Sequence, residues 1–186
     1  MRSNNLPQVL GSKQTDSNKY LSFKVLDDSY AVSIIRIKEI LEYSDNEPMI
    51  VPMMPPMIVG VINLRGSAVP VVDLSQCLYQ KPTTASRRTC VVVMEINANH
   101  QQIDVGVVVD AVSEVMMIND TEVEPPPSFA DTIKTSFIHG MGKVGDRFVI
   151  LLDIDQVFST ELQAYLKGMD GSTPLPNSEK ITIEST

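Results

Sequence analysis

The chain has 186 residues, 43% of them apolar, which is enough for one ordinary domain or two small ones and excludes disorder over most of the length. Lys and Arg number 15 against 23 Asp and Glu, giving a formal charge of −8 with no basic run to meet phosphates, so nucleic acid is not an expected partner. No Trp and 5% aromatic residues argue equally against a small-barrel protein that reads bases or peptides by stacking.

The opening stretch MRSNNLPQVLGSK lacks the uninterrupted apolar segment of a signal peptide, and no run approaches the roughly 18 to 20 apolar residues of a membrane span. A cytoplasmic protein without membrane insertion is expected. Residues 1–18 are polar and aperiodic, and 168–186 are rich in Gly, Ser, Thr and Pro, so both read as flexible tails around a folded part at about 19–167. Within it, short β-branched runs recur between turn signals: YLSFKV, YAVSI, VINL, AVPVVDL, TCVVVMEI, DVGVVVDAV and KVGDRFVILLDI. The class is mainly β, with Ile154 to Lys167 the best helix candidate.

Two ungapped internal matches organise these runs. At an offset of 80, GVINLRGSAVPVVDLSQCL (Gly60 to Leu78) aligns with GMGKVGDRFVILLDIDQVF (Gly140 to Phe158), placing Gly60 on Gly140, Val69 on Val149, Asp73 on Asp153 and Gln76 on Gln156. At an offset of 75, YAVSIIRIKEIL (Tyr30 to Leu41) aligns with VGVVVDAVSEVM (Val105 to Met116), placing Glu39 on Glu114. YLSFKV precedes the first unit as TCVVVMEI precedes the second, and each unit has a Pro-rich connector, VPMMPP and VEPPP. Some five short strands cannot bury both faces of an open sheet, so each half is expected to curl into a small barrel. The expected division is a tail at 1–18, one barrel at 19–86, a second at 87–158, the end of a C-terminal helix at 159–167 and a tail at 168–186.

Asp73 and Asp153 each close a strand ahead of SQCL or DQVF and read as turn or helix-cap residues; neither has a general-acid or metal partner beside it in sequence. Cys77 and Cys90 have no CxxC spacing and no neighbouring His, so they read as reduced, packed thiols. His100, in the hairpin-like NANHQQ, and His139 lack a second ligand at metal spacing. With no Gly-rich phosphate loop, GxSxG, HExxH or Cys/His/Asp constellation, an enzyme is not expected, and neither is a cofactor.

Residues 51–74, VPMMPPMIVGVINLRGSAVPVVDL, resemble the signature of the CheW family of chemotaxis coupling proteins, with its NLRG core complete at Asn63, Leu64, Arg65 and Gly66. IKEI at 37–40, VGVVVDAVSEV at 105–115 and FIHGMGKVGDRFVILLDID at 137–155 resemble that family's other blocks in the same order. The resemblance implies two tandem five-stranded barrels of the Src-homology-3-like (SH3-like) type and an adaptor without catalysis. It implies as partners the regulatory domain of the CheA histidine kinase and the cytoplasmic hairpin tip of methyl-accepting chemoreceptors, in arrays at the membrane. A paralogous adaptor of a non-flagellar array, serving twitching or surface behaviour, is the alternative. A coupling protein carrying a receiver domain is not expected, because about 20 residues after the second repeat cannot hold one.

By the same resemblance the partner-binding residues are Ile37, Glu39, Asn63, Arg65, Ala68, Val105 and Gly106. Arg65, in a turn between apolar strands, requires a carboxylate or backbone acceptors if it is partly covered, and Glu39 is the candidate partner. The pair either braces the first barrel or shapes the coupling face. Asn63 either offers its amide to a receptor helix or closes a local turn. Ile37, Val105 and Gly106 match family positions at an apolar groove, although the two aliphatic residues suit an ordinary core equally well. Ala68 stands where some members carry a larger aliphatic residue, which makes one possible contact shallower. Met49, Met53, Met54 and Met57 among prolines read as loop packing more than as an adaptable binding surface.

Overall fold

A computed structural model describes residues 16–126 and 136–158, together with 162, 163, 165 and 166. The described strands are β1 (Lys19–Val25), β2 (Asp28–Ser33), β3 (Ile37–Glu42), β4 (Ile58–Leu64), β5 (Ser67–Asp73), β6 (Cys90–Ala98), β7 (Gln101–Val109), β8 (Ala111–Met117), β9 (Val123–Glu124), β10 (Ile138–Val144) and β11 (Arg147–Leu152). Short helices α1 (Leu74–Tyr79) and α2 (Ile154–Val157) follow β5 and β11. Of the longer helix expected at the C-terminus, residues 162, 163, 165 and 166 are helical and the others beyond Phe158 lie outside the described residues. The expected tails lie there too, except that Asp16 to Asn18 form a turn whose Asn18 carbonyl accepts from Ile118 N at 2.9 Å.

Two curled sheets result, one of order β3-β6-β7-β5-β4 and one of order β8-β1-β2-β11-β10-β9, the last strand being two residues long. The repeat seen in the sequence extends to the strand pairing. β4–β5 and β10–β11 form matching hairpins, each with a bulge at the position of Gly60 or Gly140. Those glycines let a connector lie against the hairpin. A Cβ on Gly60 would sit 2.2 Å from Met49 O, and one on Gly140 2.6 Å from Val123 Cγ1, so neither connector could approach a larger residue.

The division at residue 86 does not hold, because the hairpins are exchanged. β1 and β2, from the first half, pair with β8 and β11 of the second; β6 and β7, from the second half, pair with β3 and β5 of the first. Each sheet is thus one half's β-hairpin inserted into the other half's remaining strands. Even the parallel registers correspond: Leu151 faces Ala31 as Val71 faces Gly106.

The exchange follows from where apolar surface lies. In β6 and β7, Val92, Met94, Ile96, Val105 and Val107 point into one large cluster shared by both sheets, while Val91, Val93 and Val108 point into the smaller interior of their own sheet. Leu21, Phe23, Tyr30 and Val32 of β1 and β2 meet the shared cluster from the other side, with Ala31 turned into its own sheet. Strands buried on both faces require continuous rather than alternating apolar sequence, which is why TCVVVMEI and DVGVVVDAV read as unbroken runs. The main hydrophobic core therefore lies between the sheets.

Asp73 and Asp153 act as helix caps. Their Oδ1 atoms accept from Gln76 N at 3.2 Å and Asp155 N at 3.1 Å.

Candidate protein-interaction site

The NLRG segment forms the tip of the β4–β5 hairpin. Arg65 and Gly66 make its two-residue turn with φ of 52° and 87°, both in the left-handed region that a tight hairpin matching strand twist requires. Asn63 Oδ1 accepts from Gly66 N at 2.9 Å, so the asparagine amide closes the turn from within it. Asn63 also lies opposite Ala68 across the hairpin, and both are exposed. Arg65 Nη2 reaches Glu39 Oε2 on β3 at 3.2 Å, as expected from sequence, with 82% of the Arg65 side chain exposed against 31% for Glu39. An ion pair this open is worth about 0.2 to 1 kcal/mol. Its contribution as a brace is therefore small.

The other expected site residues separate from this tip. Val105 and Gly106 are buried, the first in the inter-sheet cluster and the second against Val91 and Val71. Their place follows from the hairpin exchange, which puts β7 in the middle of a sheet. Ile37 is half-buried and packs on the same shared cluster. The methionines divide. Met54 and Met57 pack against the core, whereas Met49 and Met53 are 71% and 99% exposed, beside Ile50 at 79%. Met49, Val61, Asn63, Gly66, Ala68 and Glu47 line a shallow cleft next to the Arg65 turn. Sequence reading missed Ile50 and the exposure of Met49 and Met53; prolines on both sides, which deny the connector regular pairing, were the available signal.

Elsewhere polar contacts to Asp155 tie the sheets together, while Lys38 braces one sheet from within. Arg36 donates to Asp155 Oδ2 at 2.6 Å, Asn97 N donates to Asp155 Oδ1 at 2.8 Å, and Lys38 lies 3.0 Å from Glu95 and 2.6 Å from Asp104. Tyr79 of α1 donates to Asp28 Oδ2 at 2.7 Å and shares a hydrogen bond with Tyr30, and burial followed by these bonds holds its phenol protonated well above the ordinary range. Burial, and next the charge of Asp73, push the Cys77 thiol up to about 12. The tip itself offers a guanidinium, an amide, small residues and exposed thioethers. That inventory suits recognition of another protein.

The match to the CheW-like domain family model runs over residues 19–162. The chain belongs to the CheW-like domain family. Among the CheW-family relatives, a chemotaxis protein CheW of Klebsiella aerogenes is 34% identical over 151 residues, covering 81% of this chain and 87% of the relative. One of Rhizobium meliloti is 33% identical over 141 residues, covering 76% and 87%. A solved CheW structure, the scaffolding protein TtCheW from Thermoanaerobacter tengcongensis, superposes with a TM-score of 0.67 at 31% identity, covering 77% of this chain and 93% of that one. The fold and the family thus agree with the NLRG-centred resemblance. No helix among the described residues is long and apolar enough to cross a membrane.

Proposed function

We propose that this protein is a non-enzymatic chemotaxis adaptor that binds the regulatory domain of the CheA kinase and the hairpin tip of chemoreceptors together, in the cytoplasm at receptor arrays. Holding both raises their effective concentration, and a change in receptor packing then biases kinase activity through the shared scaffold. The chemotaxis names of the relatives favour this over the twitching alternative.

Arg65 carries the reading. A non-glycine residue in the left-handed region costs about 1 kcal/mol, Asn or Gly would be more comfortable there, and the matching position of the second half is Gly145 at φ 60°. An arginine held at this expense, for an exposed ion pair of small value, is best accounted for by what it meets outside the molecule. We assign the working surface to Arg65, Glu39, Asn63 and Ala68, extended by the cleft beside Met49, with Ile37, Val105 and Gly106 supporting it.

The test is a pull-down with the kinase regulatory domain and receptor-tip fragments from the same genome, using wild type, Arg65→Glu and Arg65→Asn. Both variants are expected to fold, Arg65→Asn at least as stably as wild type, and to lose one or both partners. If Arg65→Glu folds and retains both, the assignment of this surface is wrong; if wild type binds no such kinase domain, the adaptor reading itself goes.

A further inference from the structure

The two halves end matched strands with matched aspartates, yet only one carboxylate is saturated. Asp73, 5% exposed, accepts on Oδ1 from Gln76 N at 3.2 Å and Thr83 Oγ1 at 2.8 Å, and on Oδ2 from Thr83 N at 2.6 Å. The segment from Pro82 to Ala85 forms a wall of the cleft here, opposite Val59 and Val108. Asp153 Oδ1 accepts from Asp155 N at 3.1 Å, and among the described residues no donor reaches Oδ2.

Among the described residues, none returns to this second aspartate as Thr83 does to the first. The residue 80 beyond Thr83 is Gln163, which donates to the carbonyls of Asp155 and Phe158 at 3.0 Å each; the residue 80 beyond Pro82 is Leu162, buried in the inter-sheet cluster. What remains is a cleft of about 200 Å³ lined by Tyr20, Ser33, Arg36, His139 and Asp153 among others. His139 and Ser33 occupy the positions held by Val59 and Val108 in the first half, so two apolar wall residues have become hydrogen-bonding ones. Arg36 is held 2.6 Å from Asp155, and among the described residues no cation pairs with Asp153.

We infer that the cleft at Asp153 binds an extended peptide segment of a partner protein that presents a Ser or Thr hydroxyl beside a free backbone N–H, as the chain's own Thr83 does to Asp73. The polar wall accepts a segment as hydrophilic as the one the first half holds. The proposal is independent of the Arg65 surface.

The probe is the capped hexapeptide KPTTAS, the sequence of residues 81–86, titrated into the full-length protein while backbone amide resonances are followed. Saturable shifts at Ser33, His139 and Asp153 in the millimolar range are expected, with the amide of Asp73 unmoved because Thr83 already occupies it. A peptide with Val for its first Thr should bind at least tenfold more weakly, as should Asp153→Asn, which keeps a good cap; His139→Val, which restores the apolar wall, provides a second variant away from the cap. Absence of shifts at these residues up to the solubility limit, equal binding of the Val peptide, or shifts at Asp73 alone would overturn the proposal.

Discussion

A methyl group added at Gly106 would lie 2.8 Å from Val91 Cγ1 and 3.2 Å from Val71 Cγ2, both in the packed interior of a sheet. Gly106→Ala is therefore expected to lower stability by about 1 to 3 kcal/mol in urea titration. Cys77 gives a pH signature at the same scale. Its folded value of about 12 stands above the ordinary 9.0, so the folded state holds this proton more tightly than the unfolded state. The associated stability is complete below about pH 9 and is lost as pH rises from there toward 12, and Cys77→Ser should flatten that part of the alkaline decline. The thiol should also stay unreactive toward a disulfide reagent at pH 8 until the protein unfolds. Arg65, Glu39 and Asn63 were legible as a group because the turn places them together. Val105 and Gly106 were not, since an apolar residue beside a glycine reads the same in a groove as in a core.

Strands and caps were the legible elements. Asp73 and Asp153 could be placed at strand ends because a carboxylate before a short helix has donors to satisfy, and both are indeed caps. Their unequal load was not visible, because Thr83 is ten residues from Asp73, beyond the whole of α1 and in an irregular segment whose return no local pattern signals. That difference sets an order of stabilities. Asp73→Ala removes a cap and two bonds from Thr83 and should cost about 2 to 4 kcal/mol, whereas Asp153→Ala should cost about 0.5 to 2 kcal/mol, both read from denaturation midpoints. Equal losses would mean that the Thr83 strap contributes nothing.

For the molecule as a whole, the duplication was readable from two ungapped alignments, but the exchange of hairpins was not. A repeat shows which strands are alike, not which ones pair, and a strand edge carries only backbone groups that any other edge can satisfy. The exchange predicts that residues 1–86 and 87–186, produced separately, will each lack a cooperative thermal transition, and that mixing them in equal amounts will restore one near that of the intact chain. A fragment that folds alone as a monomer would contradict the pairing. A polypeptide with a single copy of this repeat could complete its sheets only by trading hairpins with a second molecule, as an obligate twofold dimer whose surfaces are identical by symmetry. Linking two copies end to end releases that constraint, so one tip can keep Arg65 while its twin becomes Gly145, and Ala68 can face one neighbour while Phe148 faces another. A covalently linked pair can thus have two different sides, where a symmetric dimer cannot.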